Sequence, residues 1–379
     1  MKVAFFVQYC HEAGTYFRWH NLAISLLEYG ASVDVYAGDF NHRGKKRIEV
    51  RSGVKYIITP SLYTAKVFGN PSDPFTAFYR LLQPLQEEYD VIHLFQPFLH
   101  AALPWLRFRK TKKSLFLYDW DDLWIGGIFQ QPNSIRGWYT YKIVSFFEKY
   151  LPGIAHGVTT CSTFLKEKIN ADKQVEIVYN GFTPKKKMVC HSILKKEENN
   201  FYIGYVGKTA AEILWLSHLA KEIERKGITA KLVIVGPDPQ NIFESKILEN
   251  KNVIYLGEVS AEEAFLICSD IDLGLLPLAD TSFNRSRFPI KFFDYLSAGT
   301  PVCYSAVGEL KIVAQNIEHA YECGASERIW VERVCGIIMD MVNREKPNIN
   351  FEKIASMYSW KENGNQLFLF YKKLLAAHV

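Results

Sequence analysis

The sequence predicts an α/β protein of two doubly wound, Rossmann-like parallel-sheet domains. Three observations carry this reading. Short apolar runs of strand length alternate with segments of helical period through most of the chain. The alternation halts at a polar, lysine-rich stretch over 185–200 and restarts at Tyr202-Ile-Gly-Tyr-Val. The length of 379 residues is long for one core and suits two domains of ordinary size. The expected boundaries are 1–184 for the first domain, 185–200 for a linker and 201–360 for the second. An amphipathic helix over 361–379 is expected to pack back on the first.

Composition limits the function. A hydrophobic share of 48% and a mean hydropathy of -0.07 describe a globular chain, not a disordered one. No apolar run approaches the ~20 residues that span a bilayer. The chain starts at once with a strand-like run and shows no small-residue cleavage site, so no signal peptide is expected. The 7 cysteines are scattered without a Cys-x-x-Cys pair, as reduced thiols of a cytoplasmic protein would be. The net charge of +5 is gathered in the first half, where about 22 Lys and Arg face about 16 Asp and Glu. That is too mild for a nucleic-acid binder, and it suits an anionic ligand or an anionic membrane surface.

In the first half, Val3–Val7 is the first strand, and Gly14 lies in the loop that follows it. Trp19, Leu22, Ala23, Leu26 and Leu27 recur with helical period up to Gly30. Ser32–Tyr36, Val54–Thr59, Val91–Phe95 and Ser114–Tyr118 are further strands. Residues 60–85, broken by Pro71, Pro74 and Pro84, are the least regular part. His93 reads as a packed strand histidine. The last of these strands runs into Asp119-Trp-Asp121-Asp122. Two readings are open there: a divalent-ion site through Asp119 and Asp121, or Asp121 and Asp122 as caps of a following helix. Trp105–Lys113 and 138–150 interleave aromatics with cations, as a solvated helix face or a membrane-resting face would.

The second half holds the segment that organises the rest, Arg285 to Ser305. Pro289 suits the first turn of a helix, Gly299 a left-handed cap, and Pro301 a stop before the strand Val302-Cys-Tyr. With the run Ile271–Leu278 before it, the unit is strand–loop–helix–strand. Arg287, Lys291 and Asp294 fall at helical spacing, and Arg285, Arg287 and Lys291 crowd the helix start, where the macrodipole favours anions. Two readings are open here as well. One is a phosphate among the cations with Asp294 on a ribose; the other is a solvated Lys291–Asp294 pair.

The run Pro289-x-Lys-x-x-Asp-Tyr-Leu-x-Ala-Gly-x-Pro-Val with Val307-Gly-Glu resembles the donor-site signature of family 4-type glycosyltransferases of the two-domain GT-B fold. The resemblance extends to Tyr89-Asp-Val-Ile-His, to the Asn180-Gly181 turn, to Gly207-Lys208 and to the last helix. It implies two domains facing a cleft, with the nucleotide sugar on the second. It places Asp294 on the ribose, Lys208 near the diphosphate for which the helix start offers Arg285, Arg287 and Lys291, and Glu258 and Val259 near the base. Gly14 stands in for the glycine loop. Ser286 replaces the usual first glutamate of the pair, and Ile213 replaces a second lysine. Asp119 falls where the family often carries a histidine near the reacting sugar, so it is the expected catalytic residue.

The implied reaction is transfer of a sugar from a nucleotide-sugar donor to a hydroxyl of a glycan or lipid-linked acceptor, with retention, and with no metal or other cofactor required. No nucleic-acid partner is expected. The expected location is the cytoplasm, at the inner membrane face if the basic-aromatic stretches bind lipid. Two alternatives stay open: another GT-B enzyme such as a nucleotide-sugar epimerase, and a binding-only relative without turnover.

Overall fold

The computed structural model describes residues 1–379 except 13, 41–44, 70–71, 110–113, 184–191, 208–211, 239–249 and 379. The chain divides into two compact units, 1–181 with 360–379, and 182–359. Each is a parallel sheet flanked by helices.

The first unit carries eight strands: β1 (Lys2–Phe6), β2 (Ser32–Asp39), β3 (Arg47–Arg51), β4 (Val54–Pro60), β5 (Val91–Phe95), β6 (Leu115–Trp120), β7 (Gly157–Thr160) and β8 (Gln174–Ile177). Their order is β3-β4-β2-β1-β5-β6-β7-β8. All pairs are parallel except β3 with β4. The central strands read as continuous apolar runs because both faces are covered; β1 and β5 are buried over nearly their whole length. Helix α1 (Tyr16–Glu28) seals one face through Trp19, Leu22 and Leu26. The C-terminal helix, Trp360–His378, belongs to this unit and lies along α1. Gly364 permits that approach, since a Cβ there would sit 2.3 Å from Cβ of Ser25.

Two expectations fail in this unit. No helix follows Asp121 and Asp122; residues 121–130 form turns, and the next helix, α2 (Ile135–Ile154), is capped by Ser134. The irregular stretch 60–85 contains a regular helix, Pro74–Leu82, started by Asp73, whose carboxylate accepts from the N–H groups of Phe75 and Thr76.

The second unit carries six strands: β9 (Phe201–Val206), β10 (Ala230–Val235), β11 (Val253–Tyr255), β12 (Leu273–Leu276), β13 (Val302–Tyr304) and β14 (Ala320–Glu322). Their order, β11-β10-β9-β12-β13-β14, reverses between β9 and β12. In the first sheet the reversal lies between β1 and β5. Open α/β sheets take ligands at such points, beyond the carboxyl ends of the strands.

Candidate active site

The loop from β12 to β13 crosses the carboxyl edge of the second sheet at its reversal point. It contains two short helices where the sequence suggested one: α3 (Ser282–Ser286) and α4 (Lys291–Ser297). Thr281 caps α3 by accepting from N–H of Asn284, and Arg287 follows in an extended conformation. Arg287 therefore does not share a helix face with Lys291 and Asp294. Pro289 lies just before α4 rather than inside its first turn.

The end of α4 follows expectation. Gly299 adopts φ +75, N–H of Thr300 donates to the carbonyl of Tyr295, and N–H of Gly299 donates to that of Leu296, a Schellman cap. Phe292, Phe293, Tyr295 and Leu296 bury the inner face. Tyr295 pins the helix over the sheet: N–H of Val206 donates to its hydroxyl at 2.9 Å, and the carbonyls of Gly204 and Leu275 lie 3.3 Å from it. Its ring covers Gly274, where a Cβ would meet ring carbons at 2.5 Å, so only a glycine fits that strand position.

The same edge is braced from β9. Glu212, buried, accepts at Oε1 from N–H of Ala279 at 2.8 Å and from Nδ2 of Asn284 at 2.7 Å. Gly207 and Gly236, at the ends of β9 and β10, pack so closely that a Cβ on Gly236 would fall 1.8 Å from the carbonyl oxygen of Gly207. Gly308, after β13, likewise lies against the backbone of Arg285.

Within this frame the sequence-derived residues separate. Lys291 Nζ and Asp294 Oδ2 form an ion pair at 3.0 Å, both about one-third exposed. Burial works against the Lys291 charge, but Asp294 outweighs it and raises the ammonium above its ordinary value. Arg285 points to Asp280, with contacts of 2.5 and 2.7 Å on the surface. Ser286 is buried, its hydroxyl donating to the carbonyl of Phe283. Arg287 is half-buried over the Phe283 ring, 4.6 Å from its centroid. Its Nε makes no hydrogen bond among the described residues. Glu258 is exposed and Val259 half-buried, just before the capping box that Ser260 and Glu263 form. Lys208 lies outside the described residues.

In the first unit, Gly14 (φ +58) and Thr15 lead into α1. Asp119, at the end of β6, is fully buried. Both its oxygens are held by Arg18, Nε to Oδ2 and Nη2 to Oδ1, each at 2.8 Å. Thr159, its partner across β6 and β7, donates to Oδ1 as well. The strand-end carboxylate is thus half of a buried ion pair. A divalent ion at Asp119 and Asp121 would have to displace a guanidinium that already fills both Asp119 oxygens. His93 closes the network, with Nε2 3.2 Å from Thr159 Oγ1 and Nδ1 2.6 Å from the Tyr371 hydroxyl. Burial pushes its pKa down to about 3, so the ring is neutral. One group of metal-type ligands comes together among the described residues: Cys10, His11 and Asp39, with ligand atoms within 4.8 Å of one another. Arg47 Nη1, 2.6 Å from Asp39 Oδ2, supplies positive charge there.

Sequence reasoning missed Arg18, Glu212, Asn284 and Gln96. Gln96 adopts φ +74 directly after β5, uncommon for a non-glycine residue. The only local signal was its place between a strand and Pro97.

Comparison with known proteins agrees with this architecture. Residues 15–186 match the family "Glycosyltransferase Family 4", and residues 200–340 match "Glycosyl transferases group 1". The chain is similar to the glycosyltransferase TuaH of Bacillus subtilis, assigned by name to teichuronic acid biosynthesis, with 25% identity over 291 residues, 69% of this chain and 68% of that protein. Among solved structures it is similar to sucrose-phosphate synthase from Thermosynechococcus elongatus, at TM-score 0.73 and 18% identity, covering 99% of both chains. Starch synthase IV of Arabidopsis thaliana bound to ADP and acarbose gives TM-score 0.70 at 12% identity, again over 99% of both. HepE of Anabaena in complex with UDP and glucose gives 0.64 at 14%, covering 98% of this chain and 100% of that one.

Proposed function

Because this chain is a glycosyltransferase of the GT-B fold, we propose that it moves a sugar from a nucleotide-sugar donor to a hydroxyl of a glycan or lipid-linked acceptor, with retention at the anomeric carbon. The observation that carries the donor half is Arg287. It is a half-buried guanidinium at the reversal of the second sheet, with a buried Nε lacking any acceptor among the described residues. A diphosphate offers the acceptors that such a group needs. The ADP and UDP named for the starch synthase IV and HepE structures support the same class of ligand.

In this reading Arg287, Lys291 and Lys208 neutralise the leaving diphosphate, and Asp294 accepts from the ribose hydroxyls. Backbone groups at Glu258 and Val259 meet the base, and Ser286 stands beside the sugar. Arg285 contributes once released from Asp280. Catalysis rests on positioning and charge stabilisation by fixed cations, so no metal is required. Calorimetric titration with UDP, ADP and GDP in EDTA is expected to show binding of at least one, unchanged when Mg²⁺ or Mn²⁺ is restored. Binding that appears only with the ion would replace the cationic reading with a metal-bridged one.

Exposed aromatics support a membrane-borne acceptor. On α2, Trp138, Phe146 and Tyr150 are each 43–58% exposed, and Lys142 Nζ lies 5.7 Å from the Trp138 ring centroid. The other basic-aromatic stretch turns its Trp105 fully inward, and 110–113 fall outside the described residues. No helix among the described residues is long and apolar enough to cross a membrane. Flotation with phosphatidylglycerol vesicles is expected to recover the protein, and W138S/F146S to lower recovery several-fold. Equal recovery of the variant would remove α2 from the membrane.

A further inference from the structure

A set of metal-type ligands belongs to the first unit, whereas the cationic donor segment belongs to the second. Cys10 and His11 lie in the loop after β1, and Asp39 is the last residue of β2. Their ligand atoms, a thiol sulfur, a ring nitrogen and a carboxylate oxygen, all lie within 4.8 Å of one another. Cys10 is 2% exposed and Asp39 fully buried, while the His11 side chain is about one-third exposed.

The backbone holds these residues in place. N–H of Cys10 donates to the carbonyl of Gly38 at 3.0 Å, and N–H of Gly38 donates to that of Gln8 at 3.3 Å, so the two segments stay paired beyond the strands. Gly38 makes this approach possible, since a Cβ there would fall 2.7 Å from the Gln8 oxygen. Arg51 Nη1 donates to the carbonyl of Cys10 at 2.6 Å, and the rings of Tyr9 and Phe40 flank His11.

The donor atoms are also in the right state. N–H of Phe40 donates to Nε2 of His11 at 3.3 Å, so Nε2 is the unprotonated ring nitrogen. It lies 3.6 Å from Oδ1 of Asp39. Two ligands of one tetrahedral zinc stand about 3.3–3.6 Å apart, given their bond lengths of about 2.0–2.3 Å. That pair is already at ligand spacing, and the widest gap in the group has to close by only about 1 Å. Arg47 does not occupy the place of the ion, because its Nη1 takes the other Asp39 oxygen, Oδ2, at 2.6 Å. Ligating carboxylates are commonly held by such a donor. Glu49 bridges Arg47 and Arg51 at 2.6 and 2.7 Å, so Asp39 and Glu49 together balance the two guanidiniums.

We propose that Cys10, His11 and Asp39 bind one zinc ion, with water in the fourth position. A sulfur, an imidazole and a carboxylate form a donor set for Zn²⁺, whereas Mg²⁺ and Ca²⁺ take oxygen ligands. On binding, the S–H bond of Cys10 breaks, the Sγ–Zn bond forms and the proton passes to the buffer. The ion ties the loop after β1 to the end of β2. The site goes beyond the transferase reading and does not rest on it.

The full-length protein is to be stripped with EDTA, desalted and titrated with Zn²⁺ and, separately, with Co²⁺, whose thiolate complexes show a charge-transfer band in the near ultraviolet. Cys10→Ala and His11→Ala are treated alike, with His218→Ala, at an exposed histidine of the second unit, as control. Wild type and the control are expected to bind one equivalent of zinc, to melt higher with it than in EDTA, and to show the cobalt band. Cys10→Ala should lose the band. Both site variants should bind zinc at least about tenfold more weakly, with no rise in melting temperature. If removing the buried Cys10 side chain prevents folding, His11→Ala decides. The site is overturned if wild type takes up no zinc at micromolar concentration, if its cobalt complex lacks the band, or if a folded site variant binds like wild type. Parallel titration with UDP, ADP and GDP keeps the two readings apart: zinc binding without nucleotide binding would defeat the donor reading and leave the zinc site standing.

Discussion

Arg18→Met is expected to destabilise the first unit by about 3–5 kcal/mol, the cost of leaving one partner of a buried ion pair uncompensated. Arg18 and Asp119 are each about 97% or more buried at the side chain. Burial opposes the Arg18 charge, and the Asp119 carboxylate outweighs it and keeps the guanidinium protonated. The guanidinium also donates to the carbonyl of Val178 at 2.8 Å and to Oδ1 of Asn180 at 3.1 Å. It therefore grips the turn just before the chain leaves this unit at Gly181. His93 and Tyr371 extend the same network to the C-terminal helix. Asp119→Leu should cost a comparable amount, because it leaves the buried arginine without its counter-charge. The double replacement Arg18→Met with Asp119→Leu should restore most of the loss, since an apolar pair of similar volume needs no mutual neutralisation.

Chemical unfolding of the four proteins gives the coupling. Additive losses would show that Arg18 and Asp119 act independently, contrary to the geometry. Activity of the stable double variant asks a separate question about Asp119. If turnover stays far below wild type while nucleotide affinity is normal, the Arg18–Asp119 pair also serves the reacting centre. If turnover returns, neither side chain is needed at the reacting centre, and the part of Asp119 is to neutralise the buried Arg18.

That ion pair marks the limit of what the sequence makes legible. Buried parallel strands announce themselves as unbroken apolar runs, so β1, β5 and β9 and their alternation with helices can be read directly. Gly299 and Pro301 end α4 for local reasons of backbone freedom and a missing donor, and such signals survive without tertiary context. Arg18 meets a carboxylate 101 positions away, and no local pattern marks that contact. The single helix expected through Arg287 failed because Thr281 caps a separate turn, and the chain is extended at Arg287. Spacing alone cannot register such a break. Asp121 and Asp122 resembled helix caps because caps and strand-end loops favour the same residues. Asp73-Pro74 was a true start signal inside a stretch that looked irregular; the acidic cap and the proline at the first helical position were both present.

Lys291→Ala and Asp294→Ala are expected to weaken nucleotide binding by about ten- to a hundredfold each, the equivalent of one charge-assisted hydrogen bond of roughly 1.5–3 kcal/mol. The two losses should differ in kind. The ammonium sits at the first residue of α4, on the positive end of a short dipole, where an anion is favoured. Lys291→Ala should therefore cost affinity for a nucleoside diphosphate and leave the bare nucleoside nearly unaffected. Asp294 stands one turn further along, and its proposed partner, the ribose, is present in both ligands, so Asp294→Ala should weaken both about equally. Raising the salt concentration should weaken diphosphate binding to wild type more than to Lys291→Ala, from which one screened attraction has already gone. In the free protein the two side chains face each other at 3.0 Å, each about one-third exposed. A pair so placed contributes less than about 1 kcal/mol to stability, so both variants should fold with near-wild-type melting temperatures. That separates binding from folding within one experiment. Wild-type titration curves for both variants, with both ligands, would leave Lys291 and Asp294 as a solvated surface pair and confine the donor site to Arg287 and the strand ends around it.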